Sequence, residues 1–69
     1  MLYLLVSDND ECMAVSKYLY DLCKPIIYAN VHYSYNGNVK LLVEEERAFI
    51  SQSNYDRIKL EGFDWINKK

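Results

Sequence analysis

Leu2-Tyr3-Leu4-Leu5-Val6 opens the chain as a short apolar run with little alternation. Such a run fits a strand buried on both faces. From Asn9 to Cys23 the spacing changes: Cys12, Val15, Leu19, Leu22 and Cys23 recur at helical intervals, which predicts a helix with one inward stripe. Ser7 with Asp10, and Asp8 with Glu11, have capping-box spacing, and the clustered carboxylates suit the positive end of a helix dipole. Pro25 ends this helix, because it lacks an N–H and disfavours helical geometry at Lys24.

The next stretch alternates. Ile27, Ala29, Val31, Tyr33 and Tyr35 fall on one face of a strand, and Val39, Leu41 and Val43 on one face of its return. Between them, Asn36-Gly37-Asn38 is a strong hairpin turn signal. A two-residue loop would put the two apolar rows on opposite faces. A three-residue loop pairs Tyr35 with Val39, Tyr33 with Leu41 and Val31 with Val43, and burial selects it. Arg47-Ala48-Phe49-Ile50 extends or restarts the return strand. Asn54 to Glu61 predicts a short helix with Tyr55 and Ile58 inward. It ends at Gly62, with Phe63 packing back on Ile58 as in a Schellman ending. Phe63-Asp64-Trp65-Ile66 alternates as a last short strand.

These elements predict a single α+β domain over residues 1–69. The compact solution is a ferredoxin-like βαββα(β) antiparallel sheet with both helices on one face and the return strand between the first two. A βαββα variant without the terminal strand is the alternative. The length limits the core: a chain of 69 residues buries only about 60% of the surface its unfolded form exposes. Domains this small often gain stability from a partner chain, so a homodimer is a natural expectation.

The formal net charge is −2, and the only basic pair is Lys68-Lys69. Nothing resembles the clustered Lys and Arg of a polyanion-binding surface. Glu44-Glu45-Glu46 reads as a solvated strand end or turn, or else as an acidic recognition patch. Cys12 and Cys23 match neither a redox CxxC nor a zinc knuckle. On one helix, eleven positions apart, they lie roughly 16 Å apart along the axis, beyond the ~7 Å reach of a disulfide. Two free buried thiols point to a reducing compartment, and the reading is cytoplasmic. Leu2–Val6 is too short for a signal-peptide core or a bilayer span, so no membrane association is expected.

The expected open sheet face carries Tyr28, Asn30, His32, Ser34, Lys40, Leu42 and Glu44, with Tyr3 and Leu5. A face mixing aromatic and polar groups suits a protein interface, where tyrosine is favoured for its large amphipathic area. The candidate interface residues are therefore Tyr3, Tyr28, Asn30, His32, Leu42, Glu44, Glu45 and Glu46. His32 reads as a sheet residue, since a general base needs an oriented partner. Cys12, Cys23 and His32 show no ligand spacing. No catalytic residue, metal or cofactor is assigned.

Leu4-Leu5-Val6-Ser7-Asp8, with Lys17-Tyr18-Leu19, is similar to the start of the small CRISPR-associated integration/nuclease subunits. The resemblance covers about a quarter of the chain and implies a ferredoxin-like dimer. That family's aromatic before the Asp, its arginine cluster and its Gln-x-Ser-Val-Phe segment are missing here, so no activity carries over. Two function classes follow. One is a non-enzymatic protein–protein interaction module, an accessory protein of phage or mobile-element type that binds and inhibits or redirects a host factor. The other is a nucleic-acid-binding or metal-dependent nuclease-like subunit that uses Asp8 at a dimer seam.

Overall fold

The computed structural model describes residues 1–34 and 44–67. Four strands, β1 (Leu2–Val6), β2 (Cys12–Val15), β3 (Ala29–Ser34) and β4 (Glu44–Phe49), form one sheet in the order β2-β1-β4-β3. Two helices, α1 (Lys17–Leu22) and α2 (Gln52–Glu61), complete the α+β fold, with a 3-10 turn over Lys24–Ile26. The central pair β1–β4 is parallel and both flanking pairs are antiparallel.

The expected first helix is a strand and a shorter helix. Ser7 to Glu11 form a tight hairpin loop instead of a helix start. The Ser7 N–H donates to the Glu11 carbonyl at 2.8 Å, and the Ser7 hydroxyl accepts from the N–H groups of Asn9 and Glu11. Asp10 sits in the left-handed region at φ 62°, which Asp tolerates better than most residues. Ser, Asn and Asp are favoured both at helix caps and in turns, for the same hydrogen-bonding reason. Pairing with β1 then decides for turn and strand: Tyr3 faces Val15 and Leu5 faces Met13. The helix begins at Ser16, whose hydroxyl accepts from the Leu19 N–H at 3.2 Å. Cys12 and Cys23 thus lie on different elements, and Cys12 is exposed while Cys23 is buried.

The ferredoxin-like order is only partly reproduced. The return strand β4 does lie between β1 and β3, but it runs parallel to β1, and the edge beside β1 is occupied by β2. The reason is the extra hairpin, which reverses the chain before α1. Phe63–Ile66 does not take that edge. It forms turns, with the Trp65 indole N–H donating to the Gly62 carbonyl and the Ile66 N–H to the Phe63 carbonyl.

The acidic run begins a strand, as one of its readings expects, but it is not solvated throughout: Glu44 is exposed, Glu45 buried and Glu46 half-buried. Glu44, Glu45 and Glu46 are the first half of the inner strand β4. Tyr33 pairs with Glu45 and Val31 with Arg47, not with Leu41 and Val43. This register is four residues away from the expected one and keeps its parity. The proposed loop at Asn36-Gly37-Asn38 and the segment Val39–Val43, with Lys40 and Leu42, lie outside the described residues.

One core fills the helix side of the sheet. Leu5 and Ala48, side by side in register, are buried with Tyr20 and Cys23 from the α1 end, Ile50 from the link after β4, and Tyr55 and Ile58 from α2. Both helices therefore cover the same face, as the chain pattern predicts. Helix α2 starts at the Ser51 cap, whose hydroxyl accepts from the Asn54 N–H, and ends at Gly62 with φ 84°. The Gly62 N–H donates to the Ile58 carbonyl, and Phe63 packs against the core. A left-handed residue is easiest to place there as glycine.

Candidate interaction surface

Register settles which side chains share each face. Tyr3, Leu5, Met13, Val15, Glu46, Ala48, Asn30 and His32 lie on the helix side. Leu2, Leu4, Val6, Cys12, Ala14, Glu45, Arg47, Phe49, Ala29, Val31 and Tyr33 lie on the other. Among the described residues no helix lies over this second face, and its rows are almost wholly apolar. Leu2 flanks Glu45 and Tyr33. Ala14 and Leu4 flank Arg47 and Val31. Cys12 and Val6 flank Phe49 and Ala29. Leu2, Val31 and Tyr33 keep 42%, 52% and 50% of their surface in water.

The two charges that the described residues place on this face neutralise each other. Arg47 reaches back two residues along β4 to the Glu45 carboxylate, with Nη2–Oε1 at 2.5 Å and an Nε–H bond at 2.8 Å. Glu45 is buried, 8% exposed, between its neighbours, while Arg47 is exposed. A buried carboxylate keeps its charge at tolerable cost only with such a partner. The centre of the face thus carries no net charge, and contiguous apolar surface of this kind marks interaction sites more often than it is left bare.

The expected interface residues do not form one surface. Tyr28 is exposed and stacks beside Phe49, ring centroids 6.5 Å apart. Tyr3 lies on the helix side against the Tyr20 ring at 5.1 Å. Asn30 and His32, expected on the open face, also lie on the helix side, and Val31 and Tyr33, expected inward, face outward. The four-residue change of register leaves the facing parity within the hairpin intact. What inverts β3 is the placement of β4, whose Ala48 and Glu46 are turned to the helices by Leu5 and Tyr20. Glu44 and Glu46 lie on the helix side, Glu45 on the open side, and Leu42 lies outside the described residues.

Glu46 joins three elements. Its carboxylate accepts from the Tyr20 hydroxyl at 3.2 Å, and His32 Nδ1 lies 3.3 Å from its other oxygen. Burial, and next the Glu46 charge, push the Tyr20 phenol above its ordinary pKa. This network holds α1 to the β3 side of the sheet, with His32 oriented by a carboxylate at the seam.

Asp8 also has a structural task. It accepts from the Tyr28 hydroxyl at 2.7 Å and from the backbone N–H of Gln52, the first residue of α2, at 3.2 Å. The carboxylate caps a helix, as its residue type predicts, but not the one that follows it in sequence. Among the described residues, no group of three His, Cys, Asp or Glu side chains is placed to hold a metal ion. No helix among them is long and apolar enough to cross a membrane.

Comparison of the chain with protein-family models, with curated proteins and with solved structures gave no match in any of the three. The surface must therefore be read from its own chemistry. Sequence patterning missed the part played by Leu2, Leu4, Ala14, Val31 and Tyr33. Alternation in β3 did flag Val31 and Tyr33 as one row. It does not say which side of the sheet that row faces.

Proposed function

We propose that this chain is a small non-enzymatic protein–protein interaction module that docks through the open face of its sheet. One observation carries the reading: the face opposite the two helices is apolar from β2 across to β3 among the described residues, and its central Glu45–Arg47 pair is already neutralised within the chain. A partner covering it would bury hydrophobic surface, the dominant favourable term in most protein association, without stranding a charge. Six lysines against two arginines, the bias of AT-rich coding common in phages, support the finer reading. In that reading it is a cytoplasmic accessory protein of phage or mobile-element type that inhibits or redirects a host factor.

The test is affinity capture from the cell that expresses the chain, comparing wild type with Leu2→Lys. Leu2 is exposed on β1, so the substitution adds charge to the face with little cost to folding, which circular dichroism checks. Capture by wild type and loss in the variant is the expected result. Equal recovery of the same partners by both would rule this face out.

A further inference from the structure

β3 is an edge strand. β4 pairs along one side of Ala29–Ser34, and no other strand among the described residues lies along its other side. An edge presents a row of backbone donors and acceptors whose complement is another extended chain, and proteins usually blunt it with charge, proline or brevity. β3 has none of these. Ala-Asn-Val-His-Tyr-Ser contains no proline, lysine, arginine or carboxylate, and every residue of it is exposed. The opposite edge is better protected: β2 has four residues, Met13 and Val15 are half-buried, and Ser16 turns the chain straight into α1.

Polarity along β3 is symmetric about Val31. Ala29 and Tyr33 flank it on the open face, and Asn30 and His32 flank it on the other. Two antiparallel copies related by a twofold axis at Val31 would set Val31 opposite its counterpart, Ala29 opposite Tyr33 and Asn30 opposite His32. Each facing pair then matches apolar with apolar or polar with polar, the condition for favourable cross-strand contact. A slip of one residue would set apolar against polar positions, and a slip of two would bring His32 against itself in one direction or Asn30 against itself in the other.

We propose that the chain self-associates by antiparallel pairing of β3 with β3 of a second copy about Val31, joining two four-stranded sheets into one. The proposal rests on reading this protein as an interaction module and names a second copy as an occupant. The contact is isologous and closes at the dimer. A single pair of short strands makes an interface well below the roughly 800 Å² per partner of a standard stable complex, so the association is of the transient class.

Sedimentation from about 10 μM to about 1 mM, the span in which transient contacts saturate, is expected to show a monomer converting to a dimer. Val31→Lys sets two like charges face to face, and should move that transition at least tenfold higher in concentration while circular dichroism stays unchanged. A second measurement reads the register. In a Cys12→Ser background, Val31→Cys should form a disulfide-linked dimer on mild oxidation, because cross-strand Cα atoms at about 5 Å lie within disulfide reach. Tyr33→Cys should not, since its two copies would be about 13 Å apart along the strands. A monomer at every concentration, a dimer indifferent to Val31→Lys, equal cross-linking at both positions, or species growing past the dimer would each overturn the pairing. Loss of partner capture by Leu2→Lys from a chain that stays monomeric would remove the self-pairing and leave the interaction-module reading standing.

Discussion

Glu45 and Arg47 stand two residues apart on β4 and point to the same side of the sheet, the buried carboxylate held by the exposed guanidinium at 2.5 Å. Removing one partner should cost more than removing both. Arg47→Met leaves Glu45 buried without its counter-charge and is expected to destabilise by about 1–3 kcal/mol. Glu45→Leu together with Arg47→Met should recover most of that loss and make the face more prone to associate. Urea unfolding of the two single variants and the double variant measures the coupling directly.

Asp8 ties the first hairpin to the start of α2. Asp8→Ala removes the acceptor for both Tyr28 and Gln52, and a lost helix cap costs about 0.5–2 kcal/mol. The loss should appear in urea unfolding. Hydrogen exchange should show it at the first turn of α2, with the β1–β2 hairpin retained. An unchanged Gln52 amide would show that the cap does not act in solution.

The two thiols differ in environment, so they should differ in reactivity. Burial pushes the Cys23 thiol up to about 11, and Cys12 is exposed on β2. A thiol reagent at neutral pH should label one cysteine quickly and the second only after denaturation, because the thiolate is the reacting form. Cys12→Ser should abolish the fast phase. Fast labelling that survives this substitution would place Cys23 at the surface.

Tyr20 sets a pH limit. Its phenol pKa is raised in the fold by burial and then by the Glu46 charge, so the folded state holds that proton more tightly than the unfolded chain. This contribution is fully present below the unfolded value, ordinarily about 10, and is lost as pH rises through the raised folded value. Wild type should therefore lose stability above pH ~10 more steeply than Tyr20→Phe. Below that range the variant should be weaker by about 0.5–1.5 kcal/mol for the lost hydrogen bond. Unfolding measured across the alkaline range, as a difference between the two proteins, checks both signs.

Local chemistry alone made much of the chain legible. Leu2–Val6 is an inner strand as its apolar run predicts, though not buried on both faces, since Leu2 is exposed and Leu4 half-buried on the open side. Pro25 does end the first helix, at Cys23 and the turn that follows. Tyr55 and Ile58 face inward, and Gly62 ends α2 because the chain there needs a left-handed residue. The α+β class and the return strand beside β1 follow from those elements and from right-handed, compact connection.

Three decisions needed the folded chain. Ser7 to Glu11 suit a helix cap and a turn equally well, and only pairing of Met13 and Val15 with Leu5 and Tyr3 makes Cys12–Val15 a strand. Two-residue alternation in β3 groups Val31 with Tyr33 but is blind to which side the helices occupy, and it is Ala48 beside Leu5 that turns this row outward. Glu44-Glu45-Glu46 looks like solvated charge until Arg47, Tyr20 and His32 arrive from along and across the sheet to hold Glu45 and Glu46. Periodicity states which residues travel together; only contact between distant segments gives that grouping an inside and an outside.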